Sequence, residues 1–245
     1  MKAVITAGGP IAGNYAERAG THLKALAPVR GKTMLARTIE ALRGVGVARI
    51  AVVGGEEVKN ACGSTVEKIV PDAGTGRGNV LGALDAWPED GDRLLYLTCD
   101  MPYVTAPALQ TFVDAVPEPI LSMALCEIDA FLLRFPNIPP SFGITLNGEM
   151  VVNGGAFLIP AGANARIRSF ATRLFEARKT PLKMASIAGP SLLLKFLFGR
   201  LAISELEARA SGLLGVPVVA ARGCSPELGF DADTLTEYEY ALANE

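Results

Sequence analysis

The chain has 245 residues, half of them hydrophobic and a fifth charged, with a formal net charge of -2. That length suits one large α/β domain with an ample core, and the charge gives no overall reason to bind nucleic acid or an anionic membrane. A single histidine, His22, excludes a His-rich metal centre, and four scattered cysteines without a CxxC pair argue against a zinc site or a disulfide framework.

The start, MKAVITAGG, lacks the long apolar run of a signal peptide, and no stretch reaches the ~18 apolar residues of a membrane span. The expected setting is the reducing cytoplasm. Residues 3–6 read as a buried first strand that runs directly into Gly8-Gly9. Residues 32–45 place Met34, Leu35, Ile39 and Leu42 at helical spacing, and Gly44 and Gly46 stop that helix. Residues 50–53 and 66–70 read as the next two strands. Residues 79–87 are helical, with Val80, Leu81, Leu84 and Trp87 on one face.

Residues 93–98 form a buried strand ending at Cys99-Asp100-Met101-Pro102, and Thr105 is placed to cap a helix running to about 115. Residues 120–125 are another strand. The pattern weakens after Glu127, where Pro136, Pro139 and Pro140 mark an irregular excursion. Residues 154–160 read as a return strand, 165–178 as a helix and 182–187 as a strand. Helices follow at 190–198 and 204–214, the second with Ser204 and Glu207 as a capping box. A late strand at 216–220 precedes a closing helix at 234–243, where Thr234 and Glu237 again fit a capping box. Strands alternating with helices imply an α/β fold with a mostly parallel sheet, whose ligands bind beyond the carboxyl ends of the strands.

Several groups at those ends carry chemistry. Ala7-Gly8-Gly9 lets the backbone approach a phosphate closely, although it matches neither the Walker pattern nor G-x-G-x-x-G and also reads as a plain tight turn. Lys24, after a polar loop, can reach over a triphosphate; the alternative is a solvated surface lysine. Asp100 stands where a Mg²⁺ ligand is often placed, or else caps the next turn. Gly74, Thr75, Gly76 and Asn79 belong to a Gly-rich stretch ahead of a helix, suited to a base edge or simply flexible. The apolar run at 192–201 could touch a lipid-like acceptor, but reads first as a buried helix or a subunit contact. His22 reads as a loop histidine.

The ordered run AVITAGG, LKAL with GKTML, GTGRGNVLGAL and LTCDMP, joined later by VNGGAFLI and by GFDADT, resembles the MobA-like NTP transferases. These are nucleotidyltransferases with a three-layer, Rossmann-like (GT-A-like) fold around a central mostly parallel mixed sheet. The resemblance implies one domain over 1–245. Residues 1–115 would be its nucleotide-binding half, and 116–245 its acceptor-binding half with a helical insertion near 189–215. It implies Mg²⁺-dependent transfer of an NMP unit from an NTP to a phosphorylated small-molecule or lipid acceptor, with release of pyrophosphate, and admits a homodimer.

By the same resemblance Ala7, Gly8 and Gly9 hold the nucleotide with Lys24 on its phosphates, and Gly74, Thr75, Gly76 and Asn79 border the base. Asp100 and Asp231 bind the metal, and Asn153 and Gly154 face the acceptor; the place of Asp233 directly before Thr234 suits it to entry into the last helix, although spacing alone does not choose between the two aspartates. The chain departs from the family in the loop from Pro10 to Leu23, which is longer and lacks the usual Arg-Met-Gly before the lysine. Base and acceptor stay open. A GT-A glycosyltransferase is the rival enzyme reading, disfavoured by the missing Asp-x-Asp, and a non-catalytic nucleotide-binding protein is the rival of another class.

Overall fold

The protein is represented by a computed structural model that describes residues 1–89, 91–177, 187 and 189–244. Its central sheet has seven strands. They are β1 (Lys2–Thr6), β4 (Arg49–Gly54), β5 (Lys68–Pro71), β6 (Leu94–Thr98), β7 (Ser122–Glu127), β8 (Gly143–Leu146) and β9 (Glu149–Ile159). A separate two-stranded ribbon joins β2 (Pro28–Val29) to β3 (Lys32–Thr33). The main order is β5-β4-β1-β6-β9-β7, with β8 beside the first half of β9. β9 alone runs against the others. The sheet is mostly parallel, as expected.

β1 lies between β4 and β6, so the chain crosses to one side after β1 and returns on the other at β6. That reversal opens a crevice at the carboxyl ends of β1 and β6. Alternation along β1 explains the three layers. Ala3 and Ile5 join a core with Leu35, Leu42 and Phe112, from helices α2 (Met34–Gly44) and α5 (Ala106–Ala115). Val4 points the other way, to Leu84, Trp87 and Ile159. Helices α4 (Gly76–Leu84) and α7 (Asn164–Ala177) cover that face, while α3 (Glu56–Cys62) lies with α2 on the first.

A third cluster closes the carboxyl end and is largely aromatic. Helix α1 (Gly13–Ala19) brings Tyr15, α6 (Ile128–Arg134) brings Phe131, and α10 (Leu235–Ala243) brings Tyr238. Phe230 sits among them, with ring centroids 4.7 Å from Phe135 and 4.9 Å from Tyr103.

Several expected elements shift. α4 begins at Gly76, so residues 76–79 are its first turn and not a loop; Thr75 caps it, its Oγ1 accepting from the Gly78 N–H at 3.1 Å. The excursion after Glu127 contains α6 and a hairpin of β8 and β9, and β9 begins at Glu149, ahead of the expected 154. The run at 216–220 is not a continuous strand: it lies along the β7 edge through isolated parallel bridges, Leu121 with Val218 and Ala124 with Ala221, held by backbone hydrogen bonds such as Leu121 N–H to Pro217 O at 2.9 Å and Ala221 N–H to Met123 O at 2.9 Å. Helix α9 (Ile203–Leu214) starts ahead of Ser204, which therefore caps nothing; Glu205 accepts from the Ala202 N–H at 3.2 Å instead. Helix α8 (Pro190–Leu197) has no buried residue, and Leu194, Leu197 and Phe198 are exposed, so the run at 192–201 is not a core helix. Apart from Ile187, the strand expected at 182–187 lies outside the described residues. Among the described residues no helix is long and apolar enough to cross a membrane.

All four cysteines are free and buried, and burial pushes the Cys62 thiol up to about 11 and Cys126 to about 12. Iodoacetamide at pH 8 is therefore expected to leave the native thiols unmodified over minutes and to label all four after denaturation; rapid native labelling would contradict the packing. Truncating Phe230→Ala should cost about 3–5 kcal/mol in urea unfolding. A loss below about 1 kcal/mol would mean that the aromatic cluster does not pack as described.

Candidate active site

The crevice holds a cavity of about 390 Å³. β1 delivers Thr6, Gly8 and Gly9 to it, β6 delivers Tyr96, Thr98 and Asp100, and the start of α4 delivers Gly74, Thr75, Gly76 and Asn79. Lys24 stands at its wall. A Cβ at position 8 would lie 2.6 Å from Asn79 Nδ2, so any larger residue there would push the Asn79 side chain aside. Asn79 is buried against this turn, and its Oδ1 accepts from the Ala73 N–H at 2.8 Å. It therefore locks the Gly8 turn to the loop before α4. The first N–H groups of α4 have no partner within the helix and lie at the cavity edge.

The long loop after Gly9 returns Lys24 to the same place. Its ends are zipped by Ile11 N–H to His22 O at 2.9 Å and by Lys24 N–H to Gly9 O at 2.9 Å. The Lys24 ammonium lies 3.2 Å from Asp100 Oδ2 and also bonds Asp233 Oδ1. Burial opposes its charge, but the two carboxylates outweigh it and hold its pKa above the ordinary lysine value.

The carboxylates are brought together through Ala232. Its N–H donates to Asp100 O at 2.9 Å, and its C=O accepts from Tyr15 OH at 2.9 Å. Asp233 is therefore aimed at Lys24 and does not serve helix entry as expected. The α10 N-terminus is held by Glu237, whose Oε2 accepts from the Thr234 N–H at 2.6 Å. Asp231 lies behind, its Oδ1 buried without a hydrogen-bond partner. Burial first, then the charges of Asp100 and Asp233, raises its carboxyl pKa well above the usual range. Asp100 Oδ1 is likewise buried and unpartnered. Among the described residues no three His, Cys, Asp or Glu side chains converge into an all-protein metal cage.

Three expected site residues do not line the cavity. Ala7 is fully buried, and its N–H donates to Val53 O at 2.8 Å. Gly154 is wedged against Ala124 and the Leu228 carbonyl, where a Cβ would lie 3.0 Å from that oxygen. Asn153 lines a neighbouring cleft. Tyr96 and Thr98 went unnoticed in the sequence, although Thr6, Tyr96 and Thr98 share one face by strand alternation. Tyr96 OH lies 3.2 Å from Thr6 Oγ1, and burial pushes its pKa up to about 12, so it stays neutral.

The fold recurs in known proteins. A hypothetical transferase from Thermus thermophilus superposes with a TM-score of 0.83 at 32% identity, over 97% of this chain and 100% of that one. The 2-C-methyl-D-erythritol 4-phosphate cytidylyltransferase of the same organism shares the fold, with a TM-score of 0.55 at 15% identity over 99% and 97% of the two chains. The bifunctional protein GlmU of Azoarcus is 33% identical over 114 residues, 43% of this chain, and this match spans only 24% of that relative's length. The MobA-like NTP transferase domain matches residues 3–229, and the chain belongs to that family of nucleotidyltransferases.

Proposed function

We propose that the chain transfers an NMP unit from an NTP to a phosphorylated acceptor, with a divalent cation such as Mg²⁺ held by Asp100 and Asp233. One observation carries the metal reading: a cation, the Lys24 ammonium, already lies between these two carboxylates. The unpartnered Asp100 Oδ1 leaves a further acceptor there. Two carboxylates without an all-protein cage suit magnesium, which completes its shell with waters and phosphate oxygens. This reading takes Asp233, and not Asp231, as the second ligand. The bound cation would neutralise the charge that builds on the triphosphate.

The chain's own groups do the rest. Gly8 and Gly9 admit the phosphates to the backbone, and the start of α4 offers N–H donors. Lys24 turns its charge to the phosphates once they arrive. An acceptor phosphate oxygen attacks the α-phosphorus; the new P–O bond forms as the bond to the bridging oxygen breaks, and pyrophosphate leaves with the electron pair. The acceptor phosphate is anionic at neutral pH, so no strong general base is required. Catalysis rests on positioning and charge neutralisation. The acceptor phosphate named for the cytidylyltransferase relative is consistent with this chemistry.

Two measurements test this reading. One of the four NTPs should raise the melting temperature, since a ligand bound only by the folded state stabilises it. Pyrophosphate release should then fall about 10²–10³-fold in Lys24→Ala, Asp100→Asn and Asp233→Asn, with folding intact by circular dichroism. Asp231→Asn should keep at least about a tenth of the rate. Loss in Asp231→Asn with near-normal Asp233→Asn would return the ligand role to Asp231, and absence of any NTP-induced stabilisation would remove the nucleotidyltransferase reading.

A further inference from the structure

Charge is unevenly spread along the chain. Residues 164–215 hold nine of the 23 lysines and arginines but only three of the 25 acidic residues. Those three carboxylates are engaged: Glu176 with Arg77 at 3.0 Å, Glu205 with Lys195, and Glu207 with the Ala220 N–H at 2.8 Å. Arg166 and Arg209 donate to the neutral Gly215 and Ile187 carbonyls, at 3.1 and 2.7 Å. The side chains of Arg173 and Arg200 have no partner among the described residues. A positive region therefore sits on a chain whose total charge is -2.

Helix α8 adds an apolar face to this region. By helical spacing Leu192, Leu193 and Phe196 fall on one side, and Leu194, Leu197 and Phe198 on the other. Leu192 and Leu193 are half-buried, whereas Leu197 is 69% and Phe198 73% exposed. The outer side chains stand on an ordered support. Gly199, at φ 66°, ends the helix with its N–H on Phe196 O at 3.0 Å, and the Arg200 N–H follows on Lys195 O at 2.7 Å. Lys195 and Glu205 tie α8 to α9, and Arg209 of α9 holds the chain at Ile187, just before the helix.

The occupant of this face must take hydrocarbon and positive charge together. A second copy docked about a two-fold axis would set the face against itself, and its arginines against like charge. An anionic bilayer meets both demands, because acyl chains receive leucine and phenylalanine while headgroups receive arginine. We propose that α8 docks the protein on an anionic lipid surface. Leu194, Leu197 and Phe198 enter the acyl boundary, Arg200 meets the headgroups, and the other uncompensated arginines add longer-range attraction. This docking is independent of the reaction in the Lys24 cavity.

The test is co-sedimentation of the full chain with phosphatidylcholine vesicles, with and without 40 mol% (about two lipids in five) phosphatidylglycerol. Each basic residue near such a surface adds roughly fivefold to affinity, so the anionic vesicles should bind at least about tenfold more tightly, and less so as salt is raised. The double variant Leu197→Glu/Phe198→Glu, at exposed positions, should keep the wild-type melting temperature and lose binding at least about a hundredfold, on the order of tenfold per apolar side chain. Phe198→Trp should show a blue shift of its fluorescence on anionic vesicles, which simple adsorption of arginines would not produce. Equal binding to both vesicles, no binding to either, or an unshifted Phe198→Trp spectrum overturns the proposal. So does a wild-type dimer in sedimentation velocity that the double variant converts to monomer, since a second copy would then cover the face.

Discussion

The candidate site depends on the two hydrogen bonds of Ala232. This residue is fully buried, so its backbone groups need partners inside the protein. It finds one in the Asp100 carbonyl at the end of β6 and the other in the Tyr15 hydroxyl of α1. Three remote pieces of chain are thereby fixed at one point. The same clamp sets Asp100 and Asp233 at a separation that one ammonium group spans. A half-buried carboxylate pair without a cation would repel, and Lys24 offsets that repulsion. Charge and register are therefore one arrangement here: loosening either the Tyr15 hydroxyl or Lys24 loosens the other.

Much of the framework was legible because its signals are local. β1, β4 and β6 are short apolar runs ended by glycine or Asp100, and burial on both faces of a parallel sheet makes such runs nearly continuous. Thr105 capped its helix as expected, its Oγ1 accepting from the Ala108 N–H at 3.3 Å. What escaped was either masked by stronger punctuation or decided by tertiary contact. Three prolines give the stretch after Glu127 the signature of irregular chain, yet Asn147-Gly148, between GITL and EMVV, adopts positive φ of 48° and 84°. That dipeptide is a strong hairpin signal. Asp231 and Asp233 are two residues apart, so alternation sends them to one side and cannot separate them. The distinction comes from Lys24, more than two hundred positions away in the chain.

The sheet face that carries the site also divides by polarity. Around β1 and β6 it presents threonine, tyrosine and glycine; around β7, β8 and β9 it presents methionine, isoleucine, leucine and valine. The boundary runs through Gly155, the one position on this part of β9 where a side chain would collide with Thr98 and Met101. A glycine in a strand interior gives up packing and conformational restriction. Here it lets Thr98 and Met101 pack directly against the strand backbone.

The clamp also has a consequence for biosynthesis. Lys24 and Asp233 are separated by 209 positions, and Tyr15 and Ala232 by 217. The sheet strands from β1 to β6 can pair while the chain is still growing, but the pocket wall cannot close until residue 233 has left the ribosome. At about 5–20 residues per second the stretch from Asp100 to Asp233 takes roughly 7–27 s. During it the nascent chain carries Lys24 and Asp100 without their third partner, and the aromatic surface that Phe230 and Tyr238 will cover stays open to solvent. Charge neutralisation of the site and burial of the aromatic cluster are therefore completed together, by the short stretch of chain from Phe230 to Tyr238.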